Sequence, residues 1–320
     1  MLDRRPPGLL MRAGIASARS IKILSEAVAL LKHRRSARGH RGGLVRPGSR
    51  RLMSRLRAIK SRAQGFGRMG IDEHRGLRYG ETLAQESLVD GSDIAPGRLE
   101  TYFDTHTDGP GLWKWRHYFP IYERHLAKFV GRAPQIVEIG IFSGGSLAMW
   151  LDYFGDGTHI YGVDVEPECK AHESPTVSVS IGDQADPAFW TRFLADVPSI
   201  DIVIDDGGHA ASQQIATLEA LLPHISPGGV YLCEDIHGRH HGFHAYIDGL
   251  SRNLHTVGPG SMDDGQEVTA FQRAIESIHR YPFVAVIEKR SVAIERLIAP
   301  KRGTQWERSF YKSQTFPGDA

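Results

Sequence analysis

Residues 136–146, Ile-Val-Glu-Ile-Gly-Ile-Phe-Ser-Gly-Gly-Ser, restrict the fold more than any other stretch of this chain. The apolar run Ile136, Val137 and Ile139 reads as a buried parallel strand. It breaks into a turn holding Gly140, Gly144 and Gly145, and a helix opens at Leu147-Ala148-Met149-Trp150. Strand, glycine turn and helix bring backbone N–H groups up to a nucleotide-like ligand, and glycine leaves room for that approach. The spacing is Gly-x-x-x-Gly-Gly, not the Gly-x-Gly-x-x-Gly of dinucleotide enzymes, so an oxidoreductase of that kind is disfavoured. Alone the turn is also compatible with an ordinary loop.

The flanking pattern repeats the motif. Strands are predicted at 135–140, 159–164, 177–181, 201–205, 229–233 and 283–288, with a last one near 294–299. Helices are predicted at 144–154, 187–195, 211–223 and 267–279. This alternation marks an α/β fold with a mostly parallel sheet. The short Lys289-Arg290-Ser291 connection predicts an antiparallel hairpin at the C-terminal sheet edge.

Charge divides the chain. Residues 1–68 hold 18 Lys and Arg against two acids, a charge of +16, which leaves −14 for the other 252 residues. Four segments are expected: a basic arm at 1–68, a helical lead-in at 69–130, a catalytic domain at 131–302 and a tail at 303–320. In the arm, helices are predicted near 16–33 and 50–62, around an Arg/Gly/Pro-rich piece. It could lie on an anionic membrane surface, bind nucleic acid, or be a solvated tail. Met53 and Met69 also offer later starts. Nucleic acid is disfavoured, because Phe66 is the arm's one aromatic residue and the remaining chain is acidic.

Two cysteines, Cys169 and Cys233, argue against a disulfide framework and suit a reducing compartment. No cleavable leader is expected, and no run reaches the ~20 apolar residues of a spanning helix. The expected location is the cytoplasm, with peripheral contact at the inner membrane surface open through the arm. A homo-oligomer is also left open.

Ligands of an open parallel sheet bind beyond the strands' C-terminal ends. The first predicted strand ends in the Gly140 turn. The second ends at Asp164, whose carboxylate can accept from both ribose hydroxyls. The third ends in Gly182-Asp183-Gln184, polar groups that suit an adenine edge; the plain alternative for each is a turn or cap. The fourth ends Asp205-Asp206-Gly207-Gly208-His209 and the fifth Cys233-Glu234-Asp235-Ile236-His237. Two acidic doublets at neighbouring strand ends repel unless a cation compensates them. Hard oxygen donors suit Mg²⁺. Neighbouring strand residues face opposite ways, so Asp205 and Asp206 divide between the cofactor side and the metal. His209 can take a proton from a metal-activated alcohol.

Two further stretches are ambiguous. The aromatic segment 112–120 reads first as packing, with a pocket wall for a sugar or ring as the second reading. His237, His240, His241 and His244 are read as a mobile, substrate-facing loop.

Taken together, Glu-x-Gly-x-x-x-Gly-Gly, the Val-Asp end of the second strand, Ile-Asp-Asp-Gly-Gly-His and Glu-Asp-Ile-His resemble class I S-adenosylmethionine-dependent methyltransferases. More narrowly, they are similar to the metal-dependent sugar O-methyltransferases of macrolide biosynthesis, the mycinamicin and demethylmacrocin type. The family that carries the name cephalosporin hydroxylase shares the pattern. The Thr107-Asp108 … His117-Tyr118-Phe119-Pro120 … Tyr122-Glu123 stretch is similar too. The resemblance covers roughly 100–300 and implies a Rossmann-like sheet, S-adenosyl-L-methionine and Mg²⁺ as cofactors, and a small-molecule glycoside or glycolipid acceptor. It implies Asp206, Glu234 and Asp235 as metal ligands and His209 as general base. Glu138, Gly140, Ser143 and Asp164 would be cofactor contacts, beside Gly144, Asp183, Gln184 and Asp205. Gly208 stands where Ser is common. A catechol-type phenol is the alternative acceptor, and a non-catalytic role in a biosynthetic assembly the alternative class.

Overall fold

Runs of Ile and Val with few polar residues form the middle of the sheet because both of its faces are covered. The computed structural model describes residues 70–82, 95–261, 265–303 and 305–307. The strands are β1 (Gln135–Ile139), β2 (His159–Asp164), β3 (Val177–Ile181), β4 (Ile200–Asp205), β5 (Ile225–Cys233), β6 (Gly260–Ser261), β7 (Gly265–Glu267), β8 (Ile275–Tyr281), β9 (Val284–Lys289) and β10 (Arg296–Leu297). The helices that pack with them are α1 (Arg98–Thr105), α2 (Phe119–Leu126), α3 (Gly145–Phe154), α4 (Pro187–Asp196), α5 (Ala211–Leu221), α6 (Gly242–Asn253) and α7 (Ala270–Ala274). The large sheet runs β3-β2-β1-β4-β5-β9-β8. The first five strands are parallel, whereas β9 and β8 run antiparallel at one edge.

Alternation along the strands separates two cores. Ile136, Ile160, Ile202 and Leu232 face Tyr122, Leu126, Met149 and Trp150. Val137, Val203, Tyr231 and Cys233 face Phe189, Trp190, Leu218 and Phe243. β1 lies between β2 and β4, so the strand order reverses there and opens a crevice beyond the carboxyl ends. Gly140 makes the crevice possible. Its φ is +83°, and a Cβ on it would lie 2.2 Å from the Asp206 carbonyl oxygen.

The C-terminal third departs from its expected elements. The predicted helix 267–279 is helical only over Ala270–Ala274, and residues 275–281 form β8 instead. The edge hairpin is therefore β8–β9, turned by Pro282-Phe283, with Phe283 at φ +64°. The Lys289-Arg290-Ser291 connection does not make it. β10 pairs with β7 in a separate three-stranded antiparallel sheet with β6. A register shift between Ile275 and Ser277 interrupts the alternation that would have marked β8. Part of the predicted histidine loop is also helix: His241 caps α6, its Nδ1 accepting from the Phe243 N–H at 3.3 Å.

By backbone contacts the chain divides into Met1–Gly91 and Ser92–Ala320. In the first unit residues 70–81 are helical and exposed. The basic arm 1–68, with its two expected helices, and the tail over 304 and 308–320 lie outside the described residues. Among the described residues no helix is long and apolar enough to cross a membrane.

Candidate active site

The loops after β1, β4 and β5 and the segment Gly111–Tyr118 enclose a cleft of about 590 Å³. That volume falls in the ~300–1,000 Å³ range of small-molecule sites. Its floor is the Gly140 turn, with Asp164 on the β2 side and Asp206, His209, Glu234 and Asp235 on the other. The aromatic segment divides between the two roles foreseen for it. Tyr118, Phe119 and Tyr122 are buried in the core, while Trp113 is 88% exposed and Trp115 49% at the cleft. Phe142, also lining the cleft, is 73% exposed.

Asp206, Glu234 and Asp235 meet at the cleft while Asp205 turns away from it, and a lysine lies between Asp206 and Glu234. Lys114 Nζ donates to Asp206 Oδ2 at 2.7 Å and to Glu234 Oε2 at 3.0 Å. Its side chain is only 3% exposed. Burial alone would lower its pKa, but the carboxylates of Glu234, Asp206 and Glu138 outweigh burial and hold the ammonium charged. Tyr122 Oη donates to Glu234 Oε1 at 2.7 Å, and Tyr118 Oη to Asp235 Oδ1 at 2.6 Å. Sequence reasoning assigned no role to Lys114 or these tyrosines. The tyrosines' local signal is the Tyr118 … Tyr122-Glu123 spacing within the stretch of resemblance.

His209 Nε2 lies 3.7 Å from Asp235 Oδ2, and His237 Nε2 lies 3.5 Å from Asp235 Oδ1. Ligand atoms of Asp206, His209 and Asp235 all fall within 4.8 Å of one another. Both His209 and Asp235 have φ near +53°, a conformation that other contacts must impose on non-glycine residues. One such contact joins the two loops: His241 Nε2 is 2.9 Å from the His209 carbonyl oxygen. The buried His209 Nδ1 has no partner among the described residues.

The residues predicted for a cofactor separate into two groups. Gly140, Asp164 and Gln184 line the cleft. Asp164 Oδ2 accepts from the Phe142 N–H at 3.0 Å and Oδ1 from the Glu166 N–H at 3.1 Å, so this carboxylate also fixes the turn after β1. Gln184 is buried; its Oε1 accepts from the Gly208 N–H at 2.6 Å and its Nε2 donates to Asp205 Oδ1 at 3.1 Å.

The other five predicted residues stand outside the lining. Glu138 is buried behind it, accepting from Trp150 Nε1 at 3.2 Å with its second oxygen unpartnered among the described residues. Burial pushes the Glu138 carboxyl up, against the pull of Lys114. Ser143 is half-buried against Gly111, and Gly144 precedes α3 at φ +80°. Asp183 is exposed and accepts from the Ala185 N–H at 2.8 Å, an ordinary turn contact. Asp205 is buried, accepting from Tyr231 Oη at 2.8 Å as well as from Gln184.

Asp205 gives a pH signature. Burial raises its pKa from 3.8 to about 7. Between those values the folded protein keeps a proton that the unfolded chain has released. Stability from this group is therefore lost as pH rises through that window. Relative to Asp205→Asn, the wild type should gain on the order of 3 kcal/mol between pH 8 and pH 4. Urea unfolding of both proteins across that range measures it, and a constant difference contradicts it.

Residues 137–236 match the family model described as a methyltransferase domain. The 8-demethyl-8-alpha-L-rhamnosyl tetracenomycin-C 2'-O-methyltransferase of Streptomyces olivaceus is 35% identical over 207 residues, 57% of this chain and 53% of that protein. The demethylmacrocin O-methyltransferase of Streptomyces fradiae is 39% identical over 132 residues, 39% of this chain and 33% of that protein. The chain thus spans about half the length, or less, of the curated relatives it matches. Among solved structures, the MycE methyltransferase of the mycinamycin pathway, in complex with Mg and SAH, is 27% identical with a TM-score of 0.49. That match covers 60% of this chain and 53% of that one.

Proposed function

We propose that this chain, whose residues 137–236 match a methyltransferase domain, is a Mg²⁺-dependent S-adenosylmethionine O-methyltransferase acting on a sugar hydroxyl of a glycoside or glycolipid. The observation that carries the reading is the meeting of Asp206, His209 and Asp235 in one cleft, opposite exposed tryptophans. The names of the similar curated proteins support it, since the tetracenomycin relative acts on a rhamnosyl hydroxyl.

The residues present fit both groups. A cleft of about 590 Å³ beside the β1 glycine turn has room for a nucleoside and a sugar ring. Carboxylate oxygens with positions left for water and hydroxyls are what Mg²⁺ takes. Asp206 and Asp235, with Glu234 behind them, would hold the ion, and Gly140 and Asp164 would face the nucleoside. When bound, the sulfonium supplies an electrophilic methyl and the ion lowers the pKa of an adjacent hydroxyl.

The remaining work belongs to the chain. Trp113, Trp115 and Phe142 offer ring faces against which a sugar can be oriented. His209 accepts the hydroxyl proton at Nε2, and Asp235, 3.7 Å away, stabilises the imidazolium that forms. The segment Gly111–Tyr118 lies over the cleft and restricts water access. The cytoplasm is the location that suits this cofactor. A glycolipid acceptor would bring the enzyme to the inner membrane surface, where the basic arm has a use.

The test is transfer of labelled methyl from S-adenosylmethionine to rhamnosides, with a catechol as the second arm. Activity should require a sugar acceptor, vanish in EDTA and return with Mg²⁺. Full activity in chelator removes the metal from the reading; preference for the catechol removes the sugar.

A further inference from the structure

We propose that His125, His279 and Glu288 form a second metal site, separate from the cleft, for a first-row transition ion of the Zn²⁺ class. None of the three lines the cleft. They come from three elements: His125 from α2, His279 from β8 and Glu288 from β9. Ser277 pairs with Glu288 in the hairpin register, which puts His279, two residues on, on the same face.

The distances suit one small ion. His125 Nδ1 lies 3.1 Å from Glu288 Oε1, and His279 Nε2 lies 3.4 Å from Glu288 Oε2. One ligand atom from each of the three falls within 4.8 Å of the others. With bonds of ~2.0–2.1 Å, the edges of a tetrahedral site are about 3.3–3.5 Å. Two imidazoles and one carboxylate make a borderline donor set that selects Zn²⁺ or its neighbours over Mg²⁺.

The surroundings orient these ligands. His125 Nδ1–H faces Glu288 Oε1, the proton an ion would displace, and Tyr281 Oη, 2.9 Å from Nε2, is a partner for the other ring nitrogen. Ser277 Oγ donates to Glu288 Oε2 at 3.0 Å and lies 2.9 Å from His279 Nε2, a contact that an ion on that nitrogen would replace. Burial lowers the His125 pKa, while His125 and Lys128 hold the Glu288 carboxyl down to about 2 against burial. Lys128 Nζ, 3.5 Å from Glu288 Oε1, is the competing cation; its half-exposed side chain can turn into solvent. His279 is 37% exposed, so an ion has an entry path and a fourth position for water.

Such an ion clamps α2 to the edge hairpin. Both elements support the acidic cluster, α2 through Tyr122 and the hairpin through the Phe283 carbonyl oxygen, which accepts from the Ile236 N–H at 2.9 Å.

Metal-stripped full-length protein is titrated with Co²⁺ and then Zn²⁺. One equivalent should bind with the visible bands of four-coordinate Co²⁺, and micromolar Zn²⁺ should displace it and raise Tm by a few degrees. His279→Ala, at an exposed position, should lose that equivalent and the Tm shift. His279→Asp should restore part of both, and Mg²⁺ binding should be unchanged in either variant. Unaltered stoichiometry and Tm shift in His279→Ala, or no four-coordinate spectrum in the wild type, overturns the proposal.

Discussion

His209→Ala is expected to slow methyl transfer by roughly 10²–10⁴-fold, the usual effect of losing a positioned general base. S-adenosylmethionine affinity should stay within a few-fold, because Gly140 and Asp164 face a different part of the cleft. The prediction rests on geometry. His209 is held at φ +53° by the turn after β4, its carbonyl oxygen is tied to His241, and its Nε2 points toward Asp235. Alanine tolerates that backbone conformation poorly, so His209→Asn is the companion variant, since asparagine enters the left-handed region more readily. Both variants should lose kcat with little change in cofactor Kd. Single-turnover rates separate the proton step from release, and a rate within three-fold of wild type for either variant would falsify the base assignment. A common loss of rate and cofactor affinity would instead mean that the loop has collapsed.

The parts of this site that are legible in the sequence are those written locally. Asp205-Asp206 and Glu234-Asp235 each follow an apolar strand, so their place at the sheet's carboxyl edge follows from strand periodicity alone. The turn after β1 is equally local. Lys114 is different: it reaches Asp206 across 92 residues and Glu234 across 120. Nothing in Leu-Trp-Lys-Trp-Arg distinguishes a buried ammonium from a solvated one, because lysine is ordinarily exposed. Charge compensation of the acids was expected from an ion, and the chain supplies a cation of its own. Gln184 shows the same limit. Its place at the end of β3 is readable, but its side chain turns inward to brace Gly208, a contact fixed by packing. The strand β8 was hidden by an irregular register, and its loss carried the hairpin assignment with it.

Removing that built-in cation should be costly. Lys114→Met is expected to destabilise the metal-free protein by about 3–5 kcal/mol, the range for breaking a buried ion pair by deleting one partner. Methionine keeps much of the length and apolar stem, so the loss reports charge rather than a large void. Without Lys114, the carboxylates of Asp206 and Glu234 face each other in a site where Glu234 is 1% exposed and, among the described residues, retains only the Tyr122 hydroxyl as donor. Burial already pushes the Glu234 carboxyl up, followed by the charge of Asp206. Deleting the ammonium pushes it further, so the variant takes up a proton at Glu234 at a higher pH than the wild type does. With the wild-type carboxyl already pushed up to about 8, the penalty should be largest near pH 9 and shrink as pH falls to 7. Mg²⁺ should narrow it as well, because an ion on Asp206 and Asp235 replaces the missing charge. Urea unfolding at the two pH values, with and without Mg²⁺, reads all three effects, and Lys114→Gln serves if the methionine variant does not fold. A loss below 1 kcal/mol at pH 9, or one that does not change between pH 9 and pH 7, would show that the acidic cluster does not depend on Lys114 for its charge balance.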